Sequence, residues 1–453
     1  MKGNPTLTGI FRIITNRYFS LAFFSILYII WVEWLGNRWL YAGLLIIFDI
    51  HVTHYVNWRF WRKRLPKGEK HELSTEIADS LIIAILLAVF IRLFFIEPYR
   101  IPTSSMEKTL NVGDYIIVSK LRYGPRLPMT PLTVPFTHNV LPFFGNRNSF
   151  VNWIKLPYKR LKGISHIKNF EVVVFNHPDG DTVMRGMPDQ NYYQLVRQFG
   201  RDYVENSPHL LMRPVDKRDN YMKRVIGLPG DTIEIIHGRA FVNHRPEPLA
   251  LESQYNYSIK AKGDRNDTIL FEKLDVSVYD INYNSYNSIY SLPLTRPMYH
   301  MLIDSNYFRA IVRYENTDPT LVNYLIFPHD PGFLWTEDNY GPLVVPSKGT
   351  SLEINSKNLP LYRKIIQTHE NNRLEVINDS IYINDSLTNS YTFKMDYYFM
   401  LGDNRHNSND SRYWGFVPEN HIIGKAIMVW LSLDKNKEWS HRIRWNKMFK
   451  FIR

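Results

Sequence analysis

Three apolar stretches crowd the first hundred residues, and the remainder of the chain breaks into short runs of alternating apolar and polar positions. The first stretch covers about residues 18–35 and is interrupted by Glu33. The second, 39–57, carries Asp49, His51 and His54. The third, 77–96, has Asp79 at one end and Arg92 near the other, with an unbroken run from Leu81 to Ile91. Each is close to the ~20 residues that a bilayer-crossing helix needs. The pattern therefore predicts an anchor of residues 1–96 with three transmembrane helices. The second is the weakest of them, because its polar groups are costly in lipid; an interfacial helix is the alternative there. Arg59, Arg62, Lys63, Arg64, Lys67 and Lys70 crowd the loop before the third stretch, whereas the first connection holds only Arg38. Positive charge stays on the cytoplasmic side. The 59–70 loop and the N-terminus, with Lys2, Arg12 and Arg17, are thus expected inside, and everything beyond Glu97 on the outer (periplasmic) face of the cytoplasmic membrane. Glu33-Trp34 stands where a cleaved leader would need small residues, so a permanent multi-pass anchor is expected.

Beyond the anchor, β-rich runs at Tyr115–Val118, Glu171–Phe175, Thr232–Ile236, Ala240–Asn243, Leu374–Ile377, Ile381–Asn384 and Ile422–Leu433 are separated by Gly, Pro, Asn and Asp. This is the pattern of a mainly antiparallel β domain. Residues 233–243 and 374–384 resemble one another, and each reads as a hairpin closed by two residues, His237-Gly238 or Asn378-Asp379. The β domain is expected to comprise residues 97–243 and 374–434. Residues 244–373, rich in Tyr, Asn and Pro, form a long insertion or second lobe. Residues 122–169 form a smaller insertion with many prolines and basic residues. The run 435–453 is a basic aromatic tail, which either docks on lipid or is simply a solvated end.

Composition narrows the chemistry. The chain has 453 residues, 45% of them apolar, so a sizeable core is expected. Its net charge of +12 is not gathered into one basic tract. Anionic lipid is therefore a more natural partner than nucleic acid, and no nucleic acid is expected. With no cysteine, disulfides, thiolate metal sites and a cysteine nucleophile are all excluded.

Three islands carry candidate chemistry. Ile101-Pro-Thr-Ser-Ser-Met-Glu-Lys-Thr-Leu110 places Ser105 shortly after the third apolar stretch. Tyr221-Met-Lys-Arg-Val-Ile-Gly-Leu-Pro-Gly-Asp231 sets Lys223 in an apolar run. Gly402-Asp-Asn-Arg-His-Asn-Ser-Asn-Asp-Ser-Arg-Tyr-Trp-Gly415 is a dense polar loop. A serine hydroxyl needs a base to become a nucleophile, and none of the 15 histidines stands in a recognisable serine-hydrolase context. A lysine can do this if burial lowers its pKa. Strand alternation would turn Lys223 inward and Arg224 to the other face.

These islands, with Glu171-Val-Val-Val-Phe175 as a further strand block, resemble the bacterial type I signal peptidases (leader peptidases), serine–lysine proteases of the membrane surface. The resemblance implies the family's β fold behind membrane helices, no cofactor and no metal, and preprotein signal peptides as partners. It implies a membrane-bound serine endopeptidase that cuts after a small-x-small motif. Ser105 would be the nucleophile and Lys223 the general base. The Ser105 amide and the Thr103 hydroxyl would form an oxyanion hole. Ser408 would orient the lysine by a hydrogen bond, and Asp410 and Arg412 would brace the site. Ile101, Met106, Leu110, Tyr221 and Met222 would line the substrate pockets. Three positions depart from the family pattern. Lys108 replaces a proline and is expected to face solvent, the alternative being repulsion of Lys223. Asn169-Phe170-Glu171 replaces a Gly-Asp turn. His406 replaces an aspartate and is expected at an exposed turn. The rival is a catalytically inactive membrane-anchored homologue that binds preproteins; the presence of Ser105, Lys223 and Ser408 together weighs against it.

Overall fold

The computed structural model describes residues 16–58, 72–144, 147–184, 191–206, 210–248, 253–262, 271, 274, 276, 280–305, 307–318, 325–434 and 437–452. It divides into two compact units, one up to Ile91 and one from Arg92 onward.

In the first unit, Arg17–Leu35 forms an α-helix that starts where the Asn16 side chain accepts the Tyr18 amide and ends at Gly36 with φ 64°. A second helix, Leu73–Phe94, begins in this unit. Both expose large apolar side chains, such as Phe23, Ile30, Leu81 and Leu86, and both are long and apolar enough to cross a membrane. The second apolar stretch takes a different form. A 3₁₀ turn at Arg38–Ala42 leads into a short α-helix, Gly43–Phe48, and a π turn, Asp49–Thr53. Asp49 closes that end, accepting from the Tyr55 amide (2.8 Å), the Val56 amide (3.1 Å), the Trp58 indole (2.7 Å) and the Thr53 hydroxyl. The carboxylate that made this stretch look unsuited to lipid is thus hydrogen-bonded locally. The basic 59–70 loop lies outside the described residues.

The second unit is built on a largely antiparallel sheet. Its strand order is Ile96–Arg100, Asp114–Ser119, Ile422–Ser432, Val172–Asn176, Asn220–Gly227, Tyr397–Leu401 and Val417–Pro418. Three of the runs expected from the sequence, Tyr115–Val118, Glu171–Phe175 and Ile422–Leu433, coincide with strands of this sheet to within a residue, and the other four form the hairpins described below. Glu97 ties the start of the sheet together. It pairs with Arg92 (2.6 Å) and Lys120 (2.9 Å) and accepts from the Tyr99 hydroxyl (2.9 Å). Those two cations hold its carboxyl down at about 2 against the burial that would raise it. The central strands are buried on both faces: Val172 to Asn176, and Lys223 to Gly227. That explains why their sequences run apolar instead of alternating.

The two similar segments fold alike. Thr232–Ile236 pairs with Arg239–Val242, and Leu374–Ile377 pairs with Ser380–Ile383. Both closing dipeptides have positive φ, as a two-residue primed turn requires. Each hairpin continues through a second positive-φ pair, Asn243-His244 or Asn384-Asp385, into a third short strand. The first asparagine of each pair accepts the amide at the hairpin's start, Thr232 (2.9 Å) or Arg373 (3.0 Å).

The long 244–373 stretch contributes to two cores. Its earlier part makes a separate lobe with a four-stranded antiparallel sheet ordered Asn282–Asn284, Ile289–Thr295, Gln254–Ala261 and Phe308–Arg313. The helix Arg296–Asp304 packs with it around Ile259, Leu292, Leu294 and Leu302. Its later part joins the main core, where Ile326, Tyr340, Leu343, Leu359 and Ile366 pack with Ile226, Phe399 and Phe416. Tyr340–Val344 adds to the edge of the first hairpin.

Phe399 is fully buried in that core and faces Tyr340 at 5.6 Å between ring centres. Phe399→Ala should destabilise the protein by about 3–5 kcal/mol, since the deleted ring leaves a cavity that the neighbours fill only in part. Phe143→Ala, at a fully exposed position, should leave the urea midpoint of the detergent-solubilised chain unchanged.

Candidate active site

Ser105 sits in a single 3₁₀ turn, Ser104–Met106, entered from an extended Thr103 (φ −126°, ψ 158°). Asn404 of the third island holds this turn. Its backbone amide donates to the Ser105 carbonyl (3.1 Å), and its Nδ2 donates to the Ser104 carbonyl (3.2 Å). Lys223 reaches the same point from the central strand Asn220–Gly227, in register with Val173. Its Nζ lies 2.5 Å from the Ser105 Oγ, although 118 residues separate the two in the chain. Lys223 is only 3% exposed. Burial pulls its pKa down from the usual lysine range to about 8. Asp410 and Asp403 oppose that shift, and Arg412 reinforces it. An amine held near that value is largely neutral just above it and can then accept the proton of a hydroxyl at hydrogen-bond distance.

Three buried arginine–carboxylate pairs surround the site. Arg412 grips Asp410 through Nε (2.9 Å) and Nη2 (2.8 Å). Asp410 also accepts the amides of Gly402 (3.1 Å) and Arg412 (3.2 Å) and so caps the short helix Ser411–Trp414. Arg224 grips Asp403 through Nε (2.8 Å) and Nη2 (2.6 Å), and Thr109 donates to the same carboxylate (2.6 Å). Arg405 grips Glu247 at 2.7 and 2.8 Å. Bidentate pairing of this kind neutralises each charge at its source and fixes its direction. Gly402 is a glycine for lack of room: a Cβ there would lie 2.1 Å from the Ser408 Oγ and 2.7 Å from the Ser105 carbonyl oxygen.

A cleft of about 570 Å³ opens on the serine. Thr103, Ile101, Met106, Tyr221, Met222 and Lys223 line it, so the cleft gathers most of the residues expected there. Leu110 does not line it. It is fully buried in the core below, among Ile116, Val118 and Val174. The Ser408 Oγ is buried, and among the described residues it has no hydrogen-bond partner, so the expected bond to Lys223 is not formed here. His177 stacks on Tyr221 at 4.4 Å and meets Trp414 edge-on at 4.8 Å. Burial, with Lys364, Arg218 and Lys223 near, holds its imidazole down at about 3, hence neutral.

Two expectations are corrected. Lys108 does not project into solvent: it is half-buried, and its Nζ donates to the Leu274 carbonyl at 3.1 Å. His406 is not at an exposed turn. It is buried, with Nε2 at 3.0 Å from Asp338 and Nδ1 accepting the Asn256 amide at 3.0 Å. In both cases the partner comes from the 244–373 stretch, whose position the motif itself does not encode. At the third departure, Phe170 takes the positive φ (69°) that a glycine would supply, and the Asn169 side chain donates to the Ile226 carbonyl (2.8 Å) and to Asp231 (3.0 Å). Sequence reasoning missed the supporting roles of Arg224, Asp403, Asn404, Arg405 and Glu247. Charge within the motif blocks signalled Arg224, Asp403 and Arg405; nothing local pointed to Asn404 or Glu247.

Comparison with known proteins agrees with this geometry. The family model described as "Signal peptidase, peptidase S26" matches residues 74–286 and 344–431, well over half of the chain. Signal peptidase I of Buchnera aphidicola (from Acyrthosiphon pisum) is 28% identical over 391 residues, covering 84% of each chain. Signal peptidase I of Haemophilus influenzae is 23% identical over 466 residues, covering 98% of this chain and 96% of the relative. Signal peptidase I of Aquifex aeolicus is 23% identical and covers 78% and 82% respectively. A sheet that brings a serine and a buried lysine together, and a family model that spans both, place this chain in the signal peptidase (peptidase S26) family.

Proposed function

We propose that this chain is a membrane-bound serine endopeptidase that removes N-terminal signal peptides from exported preproteins after a small-x-small motif, with Ser105 as nucleophile and Lys223 as general base. The observation that carries this reading is the 2.5 Å contact between the Lys223 Nζ and the Ser105 Oγ in a site where burial keeps the amine close to neutrality. In the neutral form the amine accepts the hydroxyl proton as the serine oxygen attacks the scissile carbonyl. The Ser105 amide and the Thr103 hydroxyl are proposed to receive the oxyanion; Thr103 lines the cleft beside the serine. The protonated lysine then gives its proton to the leaving amine, and water, activated in the same way, releases the signal peptide from the acyl-serine. The buried Ser408 hydroxyl, without a hydrogen-bond partner among the described residues, is proposed to take up the lysine's hydrogen bond once the serine oxygen has reacted. Asp410 and Arg412 brace that loop. Ile101, Met106, Tyr221 and Met222 line the cleft beside the serine and are proposed to shape the pockets for small side chains before the cut.

The two long apolar helices are proposed to anchor the protein in the cytoplasmic membrane, with the catalytic unit on the outer face and lipid as neighbour; two crossings put the N-terminus on that face too, in place of the inside position expected for three, and keep the basic 59–70 loop inside. The runner-up, an inactive preprotein-binding homologue, would have no reason to keep the serine in contact with a buried lysine at the floor of a cleft.

Incubation of the detergent-solubilised protein with a preprotein should release the signal peptide. Ser105→Ala and Lys223→Ala should each reduce the rate by at least about 10⁴-fold, while Lys357→Ala, at an exposed position, should cleave normally. Undiminished cleavage by Lys223→Ala would refute the assigned base.

The pH profile follows from the lysine. Because its folded pKa is depressed to about 8, the active neutral form is lost as the pH falls through that value. The logarithm of kcat/KM should therefore climb with unit slope up to about pH 8 and level off above it. A rate constant down to pH 6 would contradict a lysine base.

A further inference from the structure

The lobe inserted after Glu247 touches two of the three islands that form the site, the serine turn and the polar loop. Its strand Gln254–Ala261 begins by pairing with the third-island loop. The Gln254 amide donates to the Asp403 carbonyl (2.8 Å), the Arg405 amide donates to the Gln254 carbonyl (2.9 Å), and Gln254 bridges Asn404 in parallel. Two residues on, the Asn256 amide donates to His406. Asn404, fixed in this way, is the residue that holds the carbonyls of Ser104 and Ser105.

The lobe also reaches the nucleophile turn from another side. The Ser104 hydroxyl donates to the Asp280 Oδ1 at 3.1 Å across 176 residues of chain, and Lys108 donates to the Leu274 carbonyl. The second Asp280 oxygen is buried and has no hydrogen-bond partner among the described residues. A carboxylate oxygen buried without a partner calls for an explanation. Here the carboxylate's hydrogen bond falls on the residue next to the proposed nucleophile.

We propose that Asp280 is a positioning residue: by holding the Ser104 side chain it fixes the 3₁₀ turn, so that the lobe and Asn404 together aim the Ser105 hydroxyl at Lys223. This rests on Ser105 and Lys223 being the reacting pair. Asp280 touches neither the Ser105 Oγ nor Lys223, and acts only through the backbone of the turn. A small loss of aim is expensive in such a site, since a displacement of about 1 Å can cost about a hundredfold in rate. Losing one of several restraints should cost less.

The test uses the full-length protein in detergent with a preprotein substrate, comparing Asp280→Ala, Asp280→Asn, Ser104→Ala and the double variant Asp280→Ala/Ser104→Ala. Asp280→Ala and Ser104→Ala should each lower kcat by roughly tenfold with KM within about twofold of the parent. The double variant should be no slower than either single one, because both remove the same bond. Asp280→Asn keeps an acceptor oxygen and should retain kcat within about twofold. The pH midpoint should stay put in every variant, as Asp280 is not among the charges that act on Lys223. Full activity of Asp280→Ala, additive losses in the double variant, an Asp280→Asn as slow as Asp280→Ala, or a loss confined to KM would each overturn the proposal. If Asp280→Ala fails to fold, Ser104→Ala against the parent decides it. Ser105→Ala, run in parallel, separates the readings: cleavage by that variant would remove the assigned nucleophile, whereas its inactivity beside a fully active Ser104→Ala would remove only the positioning role.

Discussion

The site depends on keeping an amine out of water without giving it a counter-ion. Lys223 sits on a strand with sheet on both sides, and from that residue to Gly227 every position is buried. An ammonium ion there would lose its hydration with little in return, and that is why the neutral form becomes accessible near pH 8. A carboxylate in direct contact would stabilise the charged form and keep the amine protonated. The hydroxyl of Ser105 is the partner the geometry supplies instead.

Carboxylates are nevertheless close by, and their arrangement shows how the conflict is resolved. Asp410 and Asp403 both act to raise the lysine's pKa, but each is held in a two-pronged grip by an arginine of its own. The net field at the amine is then a difference between neutralised pairs. Such pairs are weak evidence for stability, because removing their charges from water is costly. Their use here is directional: they hold the polar loop rigid against the serine turn, and Gly402 lets the two approach without a side chain between them.

Much of this was legible in the sequence, and the parts that were not share a cause. Ser105 and Lys223 could be read because their chemistry is unusual for their settings, a serine after an apolar helix and a lysine in an apolar strand. The hairpins could be read because a primed turn needs positive φ, which few dipeptides tolerate. Arg224 was correctly turned to the face opposite Lys223, yet its partner Asp403 lies 179 residues away and no local pattern points to it. His406 and Lys108 were taken as exposed because charged and polar residues in turns usually are. Both are covered by the inserted lobe. Leu110 went to the core because the turn after Met106 carries it beneath the sheet, away from the cleft. The second apolar stretch looked like a third crossing by length and composition, and Asp49 instead gathers the amides of a broken helical run.

The sheet order carries a consequence for the timing of folding. The two hairpins with their asparagine latches join residues close in sequence and can form as soon as they are made. The strand Ile422–Ser432, by contrast, lies between Asp114–Ser119 and Val172–Asn176, and it follows both of them in the chain by a long interval. Pairings that span some three hundred residues close slowly and late. Until that strand is in place, the halves of the sheet that bear Ser105 and Lys223 have no strand to join them. On the proposed mechanism the serine and lysine meet only once Ile422–Ser432 has been threaded between the two halves of the sheet, so completion of the sheet itself would switch the enzyme on.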